Sequence, residues 1–305
     1  MAPDPDHTID VPLERHWVQS DDIRLHVRAA GAKDAPLVVL LHGFPEFWYG
    51  WRHQIAGLAD AGYRVVIPDQ RGYNLSDAPG GVAAYDLRLL AKDVIAILRA
   101  AGRERAHLVG HDWGGVVAWW LGINRPDRVR SLSILNAPHP AVFVRTLPRR
   151  PRQLVRSLYI LFFQVPVLPE WLLGRAEARG LARLLRMSGH PDANSDKHLS
   201  FYRMAWTRPG RLRGMIHWYR AGLRRALRTG VAADRVQAPT LLLWGAKDAA
   251  LTEELAPLSA DRCANARLEI IDGATHWVQH NAPAQVNETI LEHLRETEDD
   301  RPRRR

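Results

Sequence analysis

The stretch "RAHLVGHDWGGVVAWWLGI" (residues 105–123) decides how this chain is read. Its opening "RAHLVG" is an apolar run closed by glycine, the pattern of a strand buried on both faces. The part from Trp113 onward reads as a helix. Between them, Gly110-His111-Asp112-Trp113-Gly114 must turn the chain within a few residues. Gly110, Gly114 and Gly115 suit a turn where backbones come close and unusual φ/ψ values are tolerated only without a Cβ. Asp112 therefore stands on a sharp strand–turn–helix junction. An aspartate there can serve simply as a helix N-cap. On so exposed a turn it is also a candidate nucleophile.

Outward from this junction the design repeats. "LVVLLHG" (37–43), "YRVVIPD" (63–69), "VRSLSILN" (129–136), "PTLLLWG" (239–245) and "ARLEIID" (266–272) read as further buried strands. Helix-length segments such as "LRLLAKDVIAILRAAG" (87–102) lie between them, with apolar residues three and four apart. Alternating strands and helices predict an α/β fold, a mostly parallel sheet flanked by helices. "HWVQSDDIRLHVRAAG" (16–31) reads as a leading antiparallel hairpin turning at Ser20-Asp21-Asp22. The strand pattern stops near Pro140 and resumes at Pro239. The expected organisation is thus a first core part at 1–139, an inserted helical cap at 140–235, a second core part at 236–296 and a disordered basic tail at 297–305.

Composition narrows the class. The chain has 305 residues, 46% of them hydrophobic, with 11 Trp, enough for one large core plus an insertion. One cysteine, Cys263, excludes an internal disulfide and fits a reducing compartment. The N-terminus lacks a basic-then-apolar leader pattern, and runs such as "LYILFF" (158–163) are too short to span a bilayer. A soluble cytoplasmic protein without stable membrane insertion is expected. The net charge of +9 is uneven: residues 145–230 hold 17 Arg and one Lys against Glu170, Glu177, Asp192 and Asp196. Interleaving with Leu, Ala and Trp at helical spacing makes a solvated helical face the plainer reading, and no nucleic-acid motif accompanies it.

Three more segments join Asp112. "HGFPEFW" (42–48) follows the first parallel strand, where a backbone amide, that of Phe44, can hold an oxyanion together with the amide of Trp113. Pro45 is a candidate cis residue. In "WGAKDAAL" (244–251), Asp248 sits at a strand's C-terminal end, the edge where open α/β sheets bind ligands. In "DGATHWVQH" (272–280), His276 follows the last strand. The order is nucleophile, acid, histidine. His111 points away from Asp112, and His280 reads as a helix residue. A carboxylate is already ionised at neutral pH and attacks without a base. With a carbonyl it would form an unstable anhydride; with a saturated carbon it forms an ordinary ester. His276, oriented by Asp248, then activates water against that ester.

With these motifs in place the chain resembles the α/β-hydrolase-fold epoxide hydrolases over nearly its whole length. "HGFPEFWYGWR" (42–52), "DQRGYNLSD" (69–77), "GHDWGG" (110–115), "WGAKD" (244–248) and "THWVQH" (275–280) carry the resemblance. It implies two cap tyrosines on the epoxide oxygen, Tyr159 in "YILFFQVP" and Tyr219 in "HWYR", with His217 where the family usually has Asn. Phenols donate and stay protonated at neutral pH, as alkoxide departure requires. Substrate contacts are expected from His42, Pro45, Trp113, Phe163, Trp218 and Trp277, with neither metal nor cofactor. The expected partners are a small apolar epoxide and water, without nucleic acid; a homodimer is compatible with the sequence. The alternatives are a haloalkane or haloacid dehalogenase with the same nucleophile, and a catalytically silent ligand-binding relative. Haloalkane dehalogenases resemble the chain at Trp113, a candidate halide donor, but usually place Asn or Glu where it has Phe44. Fluoroacetate dehalogenases carry Arg where it has Trp113, so both fit less well. A silent relative would be expected to lose part of Asp112, Asp248 and His276.

Overall fold

The computed structural model describes residues 5–229 and 235–299. Eight strands form one sheet: β1 (Glu14–Ser20), β2 (Ile23–Ala30), β3 (Leu37–Leu41), β4 (Arg64–Pro68), β5 (Ala106–His111), β6 (Val129–Leu135), β7 (Thr240–Gly245) and β8 (Ala266–Ile271). Their spatial order is β1-β2-β4-β3-β5-β6-β7-β8. β1 and β2 pair antiparallel as a hairpin, β2 pairs antiparallel with β4, and every later pair is parallel. Strands β3, β4, β5 and β7 are buried at every residue, which explains their unbroken apolar runs: helices cover both faces. All six parallel strands expected from the sequence form within a residue or two of their expected ends.

The helices, in chain order, are α1 (Arg52–Asp60), α2 (Leu87–Ala100), α3 (Trp113–Asn124), α4 (Pro140–Thr146), α5 (Pro151–Arg156), α6 (Leu158–Phe162), α7 (Leu168–Met187), α8 (Asp196–Trp206), α9 (Arg211–Thr229), α10 (Leu255–Ala260), α11 (Val278–Asn281) and α12 (Pro283–Asp299). Helices α4–α9 fall between β6 and β7, where the sequence predicts an insertion. Non-helical backbone at Arg175–Ala178 interrupts α7. At the C-terminus α12 runs to Asp299, so residues 297–299, expected in a disordered tail, are helical. The rest of that tail lies outside the described residues.

The segment between β6 and β7 is anchored by polar bonds to the loops that follow β3 and β4. Trp218 Nε1 donates to the Arg71 carbonyl at 2.9 Å, His217 Nε2 to the Gly80 carbonyl at 3.0 Å and Trp206 Nε1 to the Pro45 carbonyl at 2.6 Å. Within the insertion, Arg220 forms a bidentate pair with Glu170 and donates to the Phe163 and Val165 carbonyls. These bonds flank Tyr219 on both sides in sequence and fix its height above the sheet.

Candidate active site

The turn after β5 is built by close approach. Asp112 has φ 50 and ψ −120, a conformation few non-glycine residues adopt. A Cβ on Gly114 would lie 2.0 Å from the Leu41 carbonyl oxygen, and one on Gly110 would lie 2.6 Å from that of Gly114. Only glycine lets α3 start this close to β3 and β5. The result holds Asp112 at the sheet's C-terminal edge, its side chain 17% exposed. It makes no side-chain cap to α3, so the N-cap reading does not account for it.

One carboxylate oxygen of Asp112, Oδ1, accepts from the Phe44 amide at 2.8 Å. The other, Oδ2, lies 3.8 Å from His276 Nε2. The Trp113 amide, the second expected oxyanion donor, makes no hydrogen bond to the carboxylate in this resting geometry; such bonds often tighten only when substrate is bound. The Phe44–Pro45 peptide is cis.

Behind His276, Nδ1 lies 2.7 Å from Asp248 Oδ2. Asp248 is fully committed: Oδ1 accepts from the amides of Ala250 (2.7 Å) and Leu251 (2.9 Å), and Oδ2 also accepts from Asn136 Nδ2 at 2.8 Å. Asn136 Oδ1 in turn accepts from the Gly245 amide at 2.9 Å. Burial alone would push the Asp248 carboxyl up, but the His276 charge and these bonds hold it below its ordinary value. Burial would lower His276; the Asp248 charge and hydrogen bond outweigh it, Asp112 adds to them, and the imidazole rises to about 9.

Asp112 and Trp113 open into an apolar cavity of about 240 Å³, also lined by Tyr159, Trp218, Tyr219, Phe143 and Asn136. The rings of Tyr159 and Tyr219 are 5.8 Å apart, and Tyr219 meets Trp113 edge-on at 5.1 Å. Burial first, then nearby negative charge, pushes both phenols above their ordinary value, so both remain protonated donors.

Of the expected substrate contacts, Trp113 and Trp218 line this cavity, whereas His42, Pro45, Phe163 and Trp277 do not. His42 is buried among backbone groups, accepting from the Gln70 amide and facing the Gly43 carbonyl. Pro45 offers its carbonyl to Trp206. Phe163 packs against Tyr219 and Phe44, at 4.8 and 5.6 Å between ring centres, and supports them from behind. Trp277 turns inward and donates to Ser188 Oγ at 2.9 Å. These four are held by side-chain direction, which apolar spacing does not specify.

Two contributors escaped sequence reading. Asn136 ends "VRSLSILN", and only its place at the strand edge hinted at a role. Glu46 stands inside "HGFPEFW" yet is 1% exposed. Its Oε1 accepts from Tyr202 (2.9 Å) and His280 (2.8 Å), with His190 at 3.4 Å; its Oε2 accepts from Gln279 at 3.1 Å and lies 3.5 Å from His111 Nδ1. Burial would raise this carboxyl, but the surrounding histidines hold it well below its ordinary value. Burial keeps His280 neutral, down to about 3. The ligand-type atoms of Glu46, His190 and His280 lie within 4.8 Å of one another, as in a metal cluster. Tyr202 and Gln279 donate to the same carboxylate, so protein groups already satisfy it. His111 faces away from Asp112, with Nε2 2.9 Å from the His276 carbonyl oxygen.

This geometry can be set beside known proteins. The family described as alpha/beta hydrolase fold matches residues 36–283. The AB hydrolase superfamily protein YfhM of Bacillus subtilis is 44% identical over 282 residues, covering 92% of this chain and 97% of that protein. Epoxide hydrolase A of Mycobacterium tuberculosis is 36% identical over 322 residues, covering 93% and 97%. The crystal structure of Epoxide Hydrolase A from Mycobacterium thermoresistibile superposes with a TM-score of 0.80 at 34% identity, covering 93% of this chain and 98% of that one. The chain therefore belongs to the epoxide hydrolase family of α/β-hydrolase-fold enzymes.

Proposed function

We propose that the protein opens an apolar epoxide to a vicinal diol through an ester on Asp112. One arrangement carries this reading: a carboxylate on a strained turn, lining one apolar cavity together with two protonated phenols. Phe44 holds Oδ1, which leaves Oδ2 free to attack. As the Oδ2–carbon bond forms, the epoxide carbon–oxygen bond breaks and its electron pair goes to oxygen. That oxygen takes hydrogen bonds and a proton from Tyr159 and Tyr219, giving a hydroxyalkyl ester.

In the second half, water attacks the Asp112 carbonyl carbon and gives its proton to His276 Nε2. The Phe44 amide, joined by that of Trp113, stabilises the oxyanion. Collapse breaks the acyl–oxygen bond, and His276 returns the proton to the departing diol. Asp248 keeps the imidazole oriented through Nδ1 and offsets its positive charge. In the resting enzyme His276, near 9, is largely protonated at neutral pH. Esterification removes the Asp112 charge that helps hold it there, so the imidazolium gives up its proton to the tyrosinate left by ring opening and is a free base when water must be activated. After collapse the proton left on the Asp112 carboxyl returns to His276.

The test supplies epoxides, haloalkanes and p-nitrophenyl esters to the enzyme and measures diol, halide and phenol. Diol from epoxides alone is expected; halide release without diol would replace this reading with the dehalogenase one, and no product at all with a silent ligand-binding protein. His276→Gln should stall after alkylation, raising the intact mass by that of the whole substrate, on the peptide bearing Asp112. Wild-type single turnover in ¹⁸O-water should label Asp112, and an unlabelled Asp112 would rule the ester out.

A further inference from the structure

The outer side of the insertion carries a feature the reaction does not use. Nine of the thirteen exposed large apolar side chains among the described residues fall between Val144 and Trp171. Leu154 is 46% exposed, Val155 65%, Leu158 51%, Leu161 56%, Val167 72% and Trp171 57%. On α5 and α6 the inward side is well packed: Gln153 bonds to Thr252 and Ala250, Ser157 and Phe163 are buried, and Arg156 reaches the Asp248 carbonyl. The outward residues Leu154, Leu158 and Leu161, spaced four and three apart, form the opposite stripe.

The charge around this stripe is mostly positive. Residues 128–169 contain no Asp or Glu but seven Arg. Of these, Arg145, Arg149, Arg150 and Arg152 are exposed, and Arg150 has Glu254 at 3.3 Å. Next to them Arg175 lies 4.9 Å over the exposed Trp171 ring. Exposed apolar side chains interspersed with exposed arginines are what an interfacial helix offers to a lipid surface.

We propose that the outward face of residues 144–171 docks the enzyme on an anionic phospholipid surface. Leu, Val and Trp enter the acyl boundary while the arginines meet the phosphates. Charge complementarity selects this occupant. A second copy of the chain in a two-fold contact would set these arginines against themselves. A nucleic acid would pair with the arginines but leave Leu158, Leu161 and Val167 without an apolar partner. Val144, 39% exposed, both borders this face and lines the cavity, as does Leu147. An apolar substrate dissolved in lipid would thus reach Asp112 from the docked side.

The full-length chain is sedimented with vesicles of equal parts phosphatidylcholine and phosphatidylglycerol, and with phosphatidylcholine alone. Binding to the mixed vesicles and little to the neutral ones is expected. Each arginine near an anionic surface contributes about fivefold to partitioning, so Arg149→Glu/Arg152→Glu should weaken it at least about twentyfold. Leu158→Ser/Leu161→Ser/Trp171→Ser should weaken it about tenfold or more with every arginine in place. Unchanged melting curves show that the variants fold. Absence of binding to the mixed vesicles overturns the proposal, as does undiminished binding by both variants. It also fails if the chain holds duplex DNA but not vesicles, or if the apolar variant turns a dimer into a monomer. Neither readout involves turnover, so the result is separable from the reading of the reaction.

Discussion

At Tyr159, Tyr219 and His276, each side chain's protonation state follows from what surrounds it. On the proposed mechanism Tyr159 and Tyr219 share one role, so Tyr159→Phe or Tyr219→Phe alone should leave partial activity. The double variant should come close to abolishing epoxide opening in single-turnover assays. A positioned acid is worth about 10²–10⁴ in rate, roughly 3–5 kcal/mol of barrier. Phe keeps the ring contacts with Trp113 and Phe163, so melting temperature should barely move. Near wild-type opening by the folded double variant would remove the phenols from the mechanism. His276 carries a second consequence. Its folded value of about 9 exceeds the ordinary 6.5, so its stabilisation is fully present below pH 6.5 and is lost as pH rises through 9. Melting temperature should fall over that window in the wild type and fall less in His276→Gln. Equal slopes would show that the imidazolium is not held by its carboxylates.

At the scale of elements, the site depends on how closely α3 approaches β3. Its first turn lies against the Leu41 carbonyl, where a Cβ at Gly114 would stand 2.0 Å from the oxygen. Backbone on both sides cannot yield as a flexible side chain would. Gly114→Ala should therefore cost more than about 4 kcal/mol or prevent folding, well beyond the usual helix preference for Ala over Gly. A soluble variant with an unshifted urea midpoint would show that α3 can withdraw from the sheet. β6 and β7 act together in the same way: Asn136 at the end of one binds Gly245 and Asp248 at the end of the other. The carboxylate behind His276 is thus set by the end of β6 together with the loop after β7, whose Ala250 and Leu251 amides hold its other oxygen.

For the whole molecule, the insertion and the core meet at Glu46. Tyr202 and His190 come from the insertion, while Gln279 and His280 belong to α11. Glu46→Ala would leave several buried donors without an acceptor, each worth about 1–3 kcal/mol. Denaturant melts should show a total loss of about 3–5 kcal/mol. A loss under about 1 kcal/mol would mean that water or a rearranged partner takes over the carboxylate's place.

Periodicity and punctuation in the sequence were enough for the hairpin, the six parallel strands and the run of helices between β6 and β7, because strand burial and helix faces leave a direct mark on residue spacing. That Asp112, Asp248 and His276 would come together was legible for a related reason: each follows a strand, and parallel strands all end on the same edge of the sheet. What the sequence could not determine was direction and depth. His42, Pro45, Phe163 and Trp277 carry the residue types of a substrate pocket, yet they turn into backbone contacts and supporting packing. Glu46 and Asn136 gave little sign of their partners, which lie as far as 234 residues away in the chain. Local pattern records which face of an element is covered. Only the assembled structure decides which distant polar group a buried side chain meets, because that pairing is fixed by packing across elements and not by neighbours in the chain.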